Sequence, residues 1–285
     1  MTPSLFTLAV LSVLAAAPPG TTGSEEQPVA KQWLPVFDAV AAEYALRPES
    51  EANDLKLLTS PVYKWARPGP DGGTNGAVYV WTREGCAESV ACFWRSPTPD
   101  GKGSNIAHEL HSLSPAILKS ARGGANQWNP AAGLTRHLLP GAPPPAASPS
   151  GRSQQMRVFC HDFSAHTVSS GGDRTELRLL PQPLYRYQST SSSVTDGSLF
   201  AFVCSVGTDP EVFLLLEVLS TADGPRWHYA LARFSHHNMF VKYQEQPVWQ
   251  SIRTPQDTIA HSADRTYWLF HEPFTGALPE LKSEN

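Results

Sequence analysis

Apolar residues recur at helical spacing between Trp33 and Tyr44, with Phe37 on the same stripe. This spacing is typical of an amphipathic helix that packs one face against a core. Pro35 fits the first turn of a helix better than its interior, so regular helix is predicted to start near Leu34.

A second apolar stripe of the same kind follows in the other half of the chain. It predicts a second helix, which Ser150 or Ser153 can cap. The members of this stripe are Met156, Phe159, Phe163 and His166 or Thr167.

Segments rich in Val, Leu, Tyr, Phe and Trp follow each stripe and lie between clusters of turn residues, which predicts four strands in each half. Short connections between them favour antiparallel neighbours. Pro61 and Pro183 occupy the same place in the first strand of each half, so both are predicted at an edge or a bulge. The predicted strands are 55–66, 77–83, 90–96 and 105–114, then 176–188, 198–206, 211–219 and 226–235.

Residues 32–114 and 154–235 match each other at a nearly constant offset, as two copies of one unit would. Helix, strand and turn positions all take part, which indicates a duplicated half-domain or domain. We therefore expect the same order of elements in both copies. Matched positions include Phe37 with Phe159, Tyr63 with Tyr185, Gly76 with Gly197 and Gly85 with Gly207.

These patterns predict an α+β fold made by internal duplication of a helix-plus-four-strand antiparallel unit, with a pseudo-two-fold axis and the helices on one face. A cystatin-like or TBP-like organisation is the nearest analogy. Joining the two sheets into one would remove exposed edges and is favoured for that reason. The predicted parts are 1–23 as signal peptide and disordered lead, 24–139 as first repeat, 140–153 as Pro-rich linker, 154–250 as second repeat and 251–285 as C-terminal tail.

The apolar segment 5–17 is too short to span a bilayer and ends in Ala15-Ala16-Ala17, as a signal peptide does. An exported protein, periplasmic or extracellular, is the expectation. The missing basic residue before the segment and Pro18 after it leave a disordered apolar N-terminus as the alternative.

A formal charge of -4 and 17% charged residues do not fit a nucleic-acid binder, which needs a basic surface. No later apolar segment is long enough to cross a membrane, and no cofactor motif is recognised. The spacing of the four cysteines fits no metal motif, so small buried side chains are favoured over disulfides. They are Cys86, Cys92, Cys160 and Cys204.

The densest cluster of ligand-type residues holds His108, Glu109 and His111, the weak candidates for catalysis. On a strand, Glu109 and His111 share one face and His108 points to the other. A metal site would have to combine His111 with His236 and His237, which follow the matching strand of the second copy. Solvated or core positions are favoured for all of them over a metal or catalytic role.

Aromatic residues on one face of the first strand in each copy are the candidates for binding a peptide, glycan or apolar ligand. Core packing is the favoured alternative for them. They are Tyr63, Trp65, Tyr185 and Tyr187.

Three segments, 177–187, 196–212 and 108–114, look like a family of uncharacterised exported proteins from planctomycete bacteria. The resemblance covers roughly residues 30–250 and implies no known activity, cofactor or catalytic residue.

The leading functional hypothesis is a non-enzymatic exported protein, binding or structural, that presents a groove or sheet face to a protein, peptide or glycan partner. The alternative is a hydrolase or metal-dependent enzyme with a single site near His108, Glu109 and His111.

Overall fold

The computed structural model describes residues 28–67, 73–122, 127–189, 193–253 and 265–278, and it shows a mainly β protein. Among the residues that the structure describes, strands hold 51% and helices 10%. The predicted α+β class and the helix-plus-four-strand unit are therefore wrong, and the cystatin-like or TBP-like analogy fails with them. The predicted signal peptide, 1–23, lies outside the described residues.

In the first half, the helix α1 (Pro28–Ala42) precedes seven strands, and a short eighth strand lies before the second helix. These strands are β1 (Ala45–Pro48), β2 (Lys56–Leu57), β3 (Tyr63–Arg67), β4 (Thr74–Arg83), β5 (Cys86–Pro97), β6 (Ser104–Ser112), β7 (Leu118–Ala121) and β8 (His137–Leu138).

In the second half, the helix α2 (Pro149–Cys160) precedes a similar series, which two further strands extend. The strands are β9 (Phe163–Val168), β10 (Arg174–Leu179), β11 (Tyr185–Gln188), β12 (Val194–Val203), β13 (Pro210–Thr221), β14 (Gly224–Arg233), β15 (Asn238–Tyr243), β16 (Gln246–Ser251) and β17 (Tyr267–Pro273).

Both halves pair their strands in a similar antiparallel pattern with one difference: β10 also pairs with β9, whereas β1 and β7 form a separate two-stranded sheet. The long strands β4, β5 and β6 form consecutive hairpins, and β12, β13 and β14 do the same. The short strands β2 and β3 both pair with β4, as β10 and β11 pair with β12. The pair β1–β7 corresponds to β9–β15. The halves therefore share their order of elements, although each unit holds more strands than predicted.

The two large sheets pack face to face rather than joining into one. Their inner faces form a shared core to which Val78 and Val90 contribute from one sheet and Leu199 and Phe213 from the other. Each outer face carries a separate core, closed by α1 on the first sheet and by α2 on the second. Strands buried on both faces read as continuous apolar runs, which hides the alternation expected of half-exposed strands.

Two predictions about where the helices begin need correction. α1 begins at Pro28 rather than near Leu34, so Pro35 lies inside the helix. Ser148 caps α2 by accepting a hydrogen bond from the Gly151 amide, and Pro149 follows it, so neither Ser150 nor Ser153 is the cap.

The second stripe is a helix only in its first part. Phe163 and Thr167 lie in β9, where buried and more exposed positions alternate with the two-residue period of a strand. Pro61 and Pro183 lie in the breaks between β2 and β3 and between β10 and β11, outside any regular strand.

The predicted domain limits also shift. Residues 149–153 of the predicted linker belong to α2. The predicted tail contains β17, which pairs along its whole length with β6 of the first half. The end of the chain therefore completes the sheet formed by its beginning.

A glycine lies directly opposite an aromatic residue at the same place in both halves. Gly76 faces Trp65 between β4 and β3, and Gly197 faces Tyr187 between β12 and β11. A Cβ at Gly76 would lie 2.6 Å from the Trp65 ring, and a Cβ at Gly197 would be as close to the Tyr187 ring. Each ring lies flat over its glycine, so any larger residue would displace it.

We expect Gly76→Ala and Gly197→Ala each to lower the free energy of unfolding by about 1 to 3 kcal/mol, because the methyl group overpacks a buried ring. Gly171→Ala is the control, since its Cβ would meet no atom closer than 3.5 Å. Urea unfolding of the three variants checks the expectation, and equal stabilities would contradict it.

Candidate ligand-binding cleft

A cleft of about 200 Å³ opens at one end of the interface between the two sheets. It lies where β13 begins and where β14 leads into β15. Both halves of the chain contribute to its wall, as the face-to-face packing requires. The lining residues that carry chemistry are Trp65, Arg67, Cys92, Trp94 and Glu109 from the first half, and Asp209, Glu211, Phe234, His236 and His237 from the second.

Two carboxyl groups reach the cleft because strand alternation turns them inward. Glu211 lies near the start of β13, on the same face as Phe213 and Leu215 of the shared core. Glu109 lies in the middle of β6, and each of these two glutamates is only 7% exposed. Acidic groups at inward positions of buried strands are unusual, since burial penalises the charged form.

Burial raises the pKa of Glu109 well above its usual range. The Tyr267 hydroxyl donates a hydrogen bond of 2.6 Å to its Oε1 and acts against this shift, while the charges of Glu211 and Asp209 add to it. The Arg233 guanidinium lies over the Tyr267 ring, 4.9 Å from its centre. Burial therefore favours the protonated, neutral form of Glu109.

Burial also raises the pKa of Glu211, to about 7. The Ser235 hydroxyl and the Arg67 guanidinium lower it, and the Asp209 charge raises it. Its Oε2 atom is buried and has no hydrogen-bond partner among the described residues. A buried polar atom without a partner costs free energy, so this one is a natural contact for a ligand.

Arg67 lies among the other acidic groups of the cleft. Its Nη2 atom is 2.8 Å from Oδ2 of Asp209, 3.3 Å from Sγ of Cys204 and 3.9 Å from Oε1 of Glu211. Cys204, Asp209 and Glu211 are also the three groups whose ligand atoms lie within 4.8 Å of one another, as a metal site would require. The guanidinium already neutralises this cluster, so the residues do not fit a metal ion well.

Aromatic rings also line the cleft. The Trp65 indole donates a hydrogen bond of 3.0 Å to Sγ of Cys92, and its ring centre is 6.1 Å from that of Trp94. Phe234 adds a third ring to the lining. The faces of such rings are electron-rich and attract cations as well as apolar groups.

The two histidines of the cleft are neutral at neutral pH. Burial lowers the pKa of His236 to about 4, with smaller contributions from the neighbouring His237 ring and three arginines. The pKa of His237 is lowered by burial and by Arg253 and Arg67. Their ring centres are 4.2 Å apart.

The predicted catalytic group does not come together. Glu109 lines the cleft, whereas His108 faces the α1 side, where the Tyr44 hydroxyl is 2.8 Å from its Nδ1 atom and Phe270 stacks on its ring. His111 lies on the inner side of β6, but its Nδ1 atom binds the Ser112 carbonyl oxygen at 2.7 Å and it is not part of the lining. Burial lowers the pKa of His108 to about 3 and that of His111 to about 4.

The predicted metal group of His111, His236 and His237 is likewise divided, since only the last two line the cleft. Of the predicted binding aromatics, Trp65 lines it too. Tyr187 is buried and donates a hydrogen bond of 2.5 Å to Glu217, and Tyr185 donates one of 2.8 Å to the Gly85 carbonyl oxygen. Tyr63 is half-buried beside the shared core.

Sequence reasoning missed Arg67, Trp94, Asp209 and Glu211. The sequence did contain an indication for Glu211. This acidic residue directly precedes the apolar run of β13, and it lies an even number of residues before the positions of that run that point inward. The convergence of β3, β6 and β13 at one end depends on the packing of two sheets, which no local pattern records.

The raised pKa of Glu211 makes stability depend on pH. A carboxyl whose pKa rises on folding contributes most below its unfolded value of 4.5, and this contribution is lost as pH rises through about 7. The free energy of unfolding of the wild type, relative to Glu211→Gln, should fall by about 3 kcal/mol between pH 4.5 and 8. Denaturant titrations across this range test it. A flat profile for Glu211→Gln would contradict the assignment.

None of the helices in the described ranges is long and apolar enough to cross a membrane. Comparison of the chain with protein-family models, curated proteins and solved structures finds no match. The resemblance to exported planctomycete proteins therefore stays a prediction.

Proposed function

We propose that the protein is an exported, non-enzymatic binding protein that holds a small ligand in the cleft between its two sheets. One observation carries the proposal: two buried carboxyl groups, one with an oxygen that has no hydrogen-bond partner among the described residues, line the same cleft of about 200 Å³ as several aromatic rings. Apolar walls with a few converging polar groups are the usual form of a small-molecule site. Export rests on the apolar segment 5–17.

The rigidity of the wall supports binding. β13 and β6 lie inside the two sheets and are paired on both sides, and Arg67 ties β3 to the start of β13 through Asp209. Polar groups fixed by a scaffold lose little freedom when a ligand arrives, so more of the contact energy is retained as affinity.

Blocking the cleft tests the proposal. Thr74 lines the cleft, and Asn75 is its neighbour on the opposite face of β4, so Thr74→Trp fills the site and Asn75→Trp is the matched control. A library of small aromatic fragments is added to labelled protein, and the indole N–H signals of Trp65 and Trp94 are followed by NMR.

Fragments that shift both indole signals in the wild type and in Asn75→Trp, but not in Thr74→Trp, are the expected result. Fragments that bind only elsewhere, or that bind Thr74→Trp equally well, would reject a ligand site in the cleft.

An acid–base enzyme in the same cleft is the second candidate. Glu109 and Glu211 both have raised pKa values, as general acids often do. A metal-dependent variant would require stoichiometric Zn or Mn in the purified protein, lost on Glu211→Gln. Finding that metal would replace the binding proposal with the enzymatic one.

A further inference from the structure

Acidic residues outnumber basic ones in the lining of the cleft, where Arg67 lies beside Glu109, Asp209 and Glu211. Asp209 is paired with Arg67 at 2.8 Å, and Oε1 of Glu211 lies 3.9 Å from the same guanidinium. Glu109 accepts a hydrogen bond from the Tyr267 hydroxyl, and the charge of Arg233 lowers its pKa. The Oε2 atom of Glu211 has no hydrogen-bond partner among the described residues, so it is open to a visiting group.

Burial disfavours both carboxylates, so it favours the protonated form of each acid when no ligand is bound. The Arg67 guanidinium lowers the pKa of Glu211 and the Arg233 guanidinium lowers that of Glu109, but burial acts more strongly on both, and His236 and His237 are neutral. A cation bound beside these carboxyl groups would stabilise their charged form, so it would lower their pKa values and release a proton.

We infer that the ligand carries a positively charged amine or guanidine group, which Glu211 and Glu109 receive in exchange for a proton released to solvent. The inference rests on the proposed binding function and names the ligand class. Three observations support it: the unpartnered Oε2 of Glu211, buried to nine-tenths or more, the second buried acid beside it, and the aromatic wall of Trp65 and Trp94.

An organic cation fits the cleft better than a metal ion. The point where Cys204, Asp209 and Glu211 converge is already taken by the Arg67 guanidinium. The cleft volume of about 200 Å³ is large for a bare ion and suits a small organic molecule. The aromatic rings in its lining favour a ligand that joins an apolar part to a charged group, because such rings bind apolar groups and cations alike.

Three probes that differ only in their head group test the inference: benzylammonium, benzyl alcohol and benzoate. Each is titrated into the full-length protein at pH 7 by calorimetry, in two buffers with different heats of ionisation. We expect benzylammonium to bind at least about tenfold more tightly than benzyl alcohol, as a charged hydrogen bond would provide. The buffer dependence should show a net release of protons from the protein.

Glu211→Gln should weaken benzylammonium binding about tenfold or more and suppress much of the proton release. Glu88→Gln is the control, because Glu88 is a buried acid with a raised pKa that does not line the cleft. Equal or tighter binding of benzyl alcohol or benzoate overturns the inference, as does unchanged binding by Glu211→Gln.

The two proposals fail in different ways. If benzyl alcohol or benzoate shifts the Trp65 and Trp94 indole signals while benzylammonium does not, the cleft is a ligand site and only the inferred charge is wrong. If no fragment reaches the cleft, the binding function itself is wrong.

Discussion

Truncation of Phe37 or Phe159 to alanine is expected to lower the free energy of unfolding by about 3 to 5 kcal/mol, through lost burial and the cavity left behind. Phe37 closes the outer core of the first sheet and stacks near Trp33. Phe159 does the same on the second sheet and meets Trp227 edge to face. Such a loss is a large part of the total stability of an ordinary domain.

Val158→Ala is the control for these variants. Val158 precedes Phe159 on α2 but is 59% exposed, so its truncation should change stability by about 0.5 kcal/mol or less. Thermal and denaturant unfolding of the three variants measure the contrast. A small loss for both phenylalanines would mean that the helices do not seal the outer faces.

Replacing Arg136 with methionine is expected to lower the free energy of unfolding by about 3 to 5 kcal/mol, because it leaves a buried carboxylate without its partner. Glu217 is 1% exposed in the middle of β13, and Nε of Arg136 lies 2.6 Å from its Oε2 atom. The Tyr187 hydroxyl also donates to Glu217, but a single neutral donor does not replace the charge.

Arg174→Met is a closely matched control. Arg174 pairs with Glu176 through the same Nε atom at the same distance of 2.6 Å, but both side chains are more than half exposed. Exposed pairs contribute little, so this variant should lose about 1 kcal/mol or less. Similar losses for the two variants would show that burial does not determine how much the Arg136–Glu217 pair contributes to the free energy of unfolding.

The long strands could be predicted from the sequence because they depend on local patterns. The Trp33 to Tyr44 stripe, the turn at Gly85 and the paired positions of Gly76 and Gly197 all have their counterparts in the structure. Strand alternation also separated Glu109 and His111 from His108 correctly.

The predicted fold class was wrong because short strands contain too few residues to show an alternation of apolar and polar positions. β1, β2, β7 and β8 hold two to four residues each, too few to show a period. β9 was assigned to a helix because Phe163 continues the spacing of Phe159, although its own residues alternate. Pairing of β17 with β6 joins distant parts of the chain, and such contacts leave no local trace.

Only some of the residues that line the cleft could be predicted from the sequence, because the others are brought there by contacts between distant parts of the chain. Trp65, Glu109, His236 and His237 were singled out, but for different sites. Arg67 and Glu211 gain their roles from the docking of one sheet on the other, which brings β3 against the start of β13.

A crystal structure after soaking with a mixture of cationic, neutral and anionic aromatic fragments tests the ligand site most directly. The account predicts electron density for a bound molecule in the cleft, with a polar head group at Oε2 of Glu211 and its ring against Trp94. Density only at other sites, with the cleft unoccupied, would contradict it.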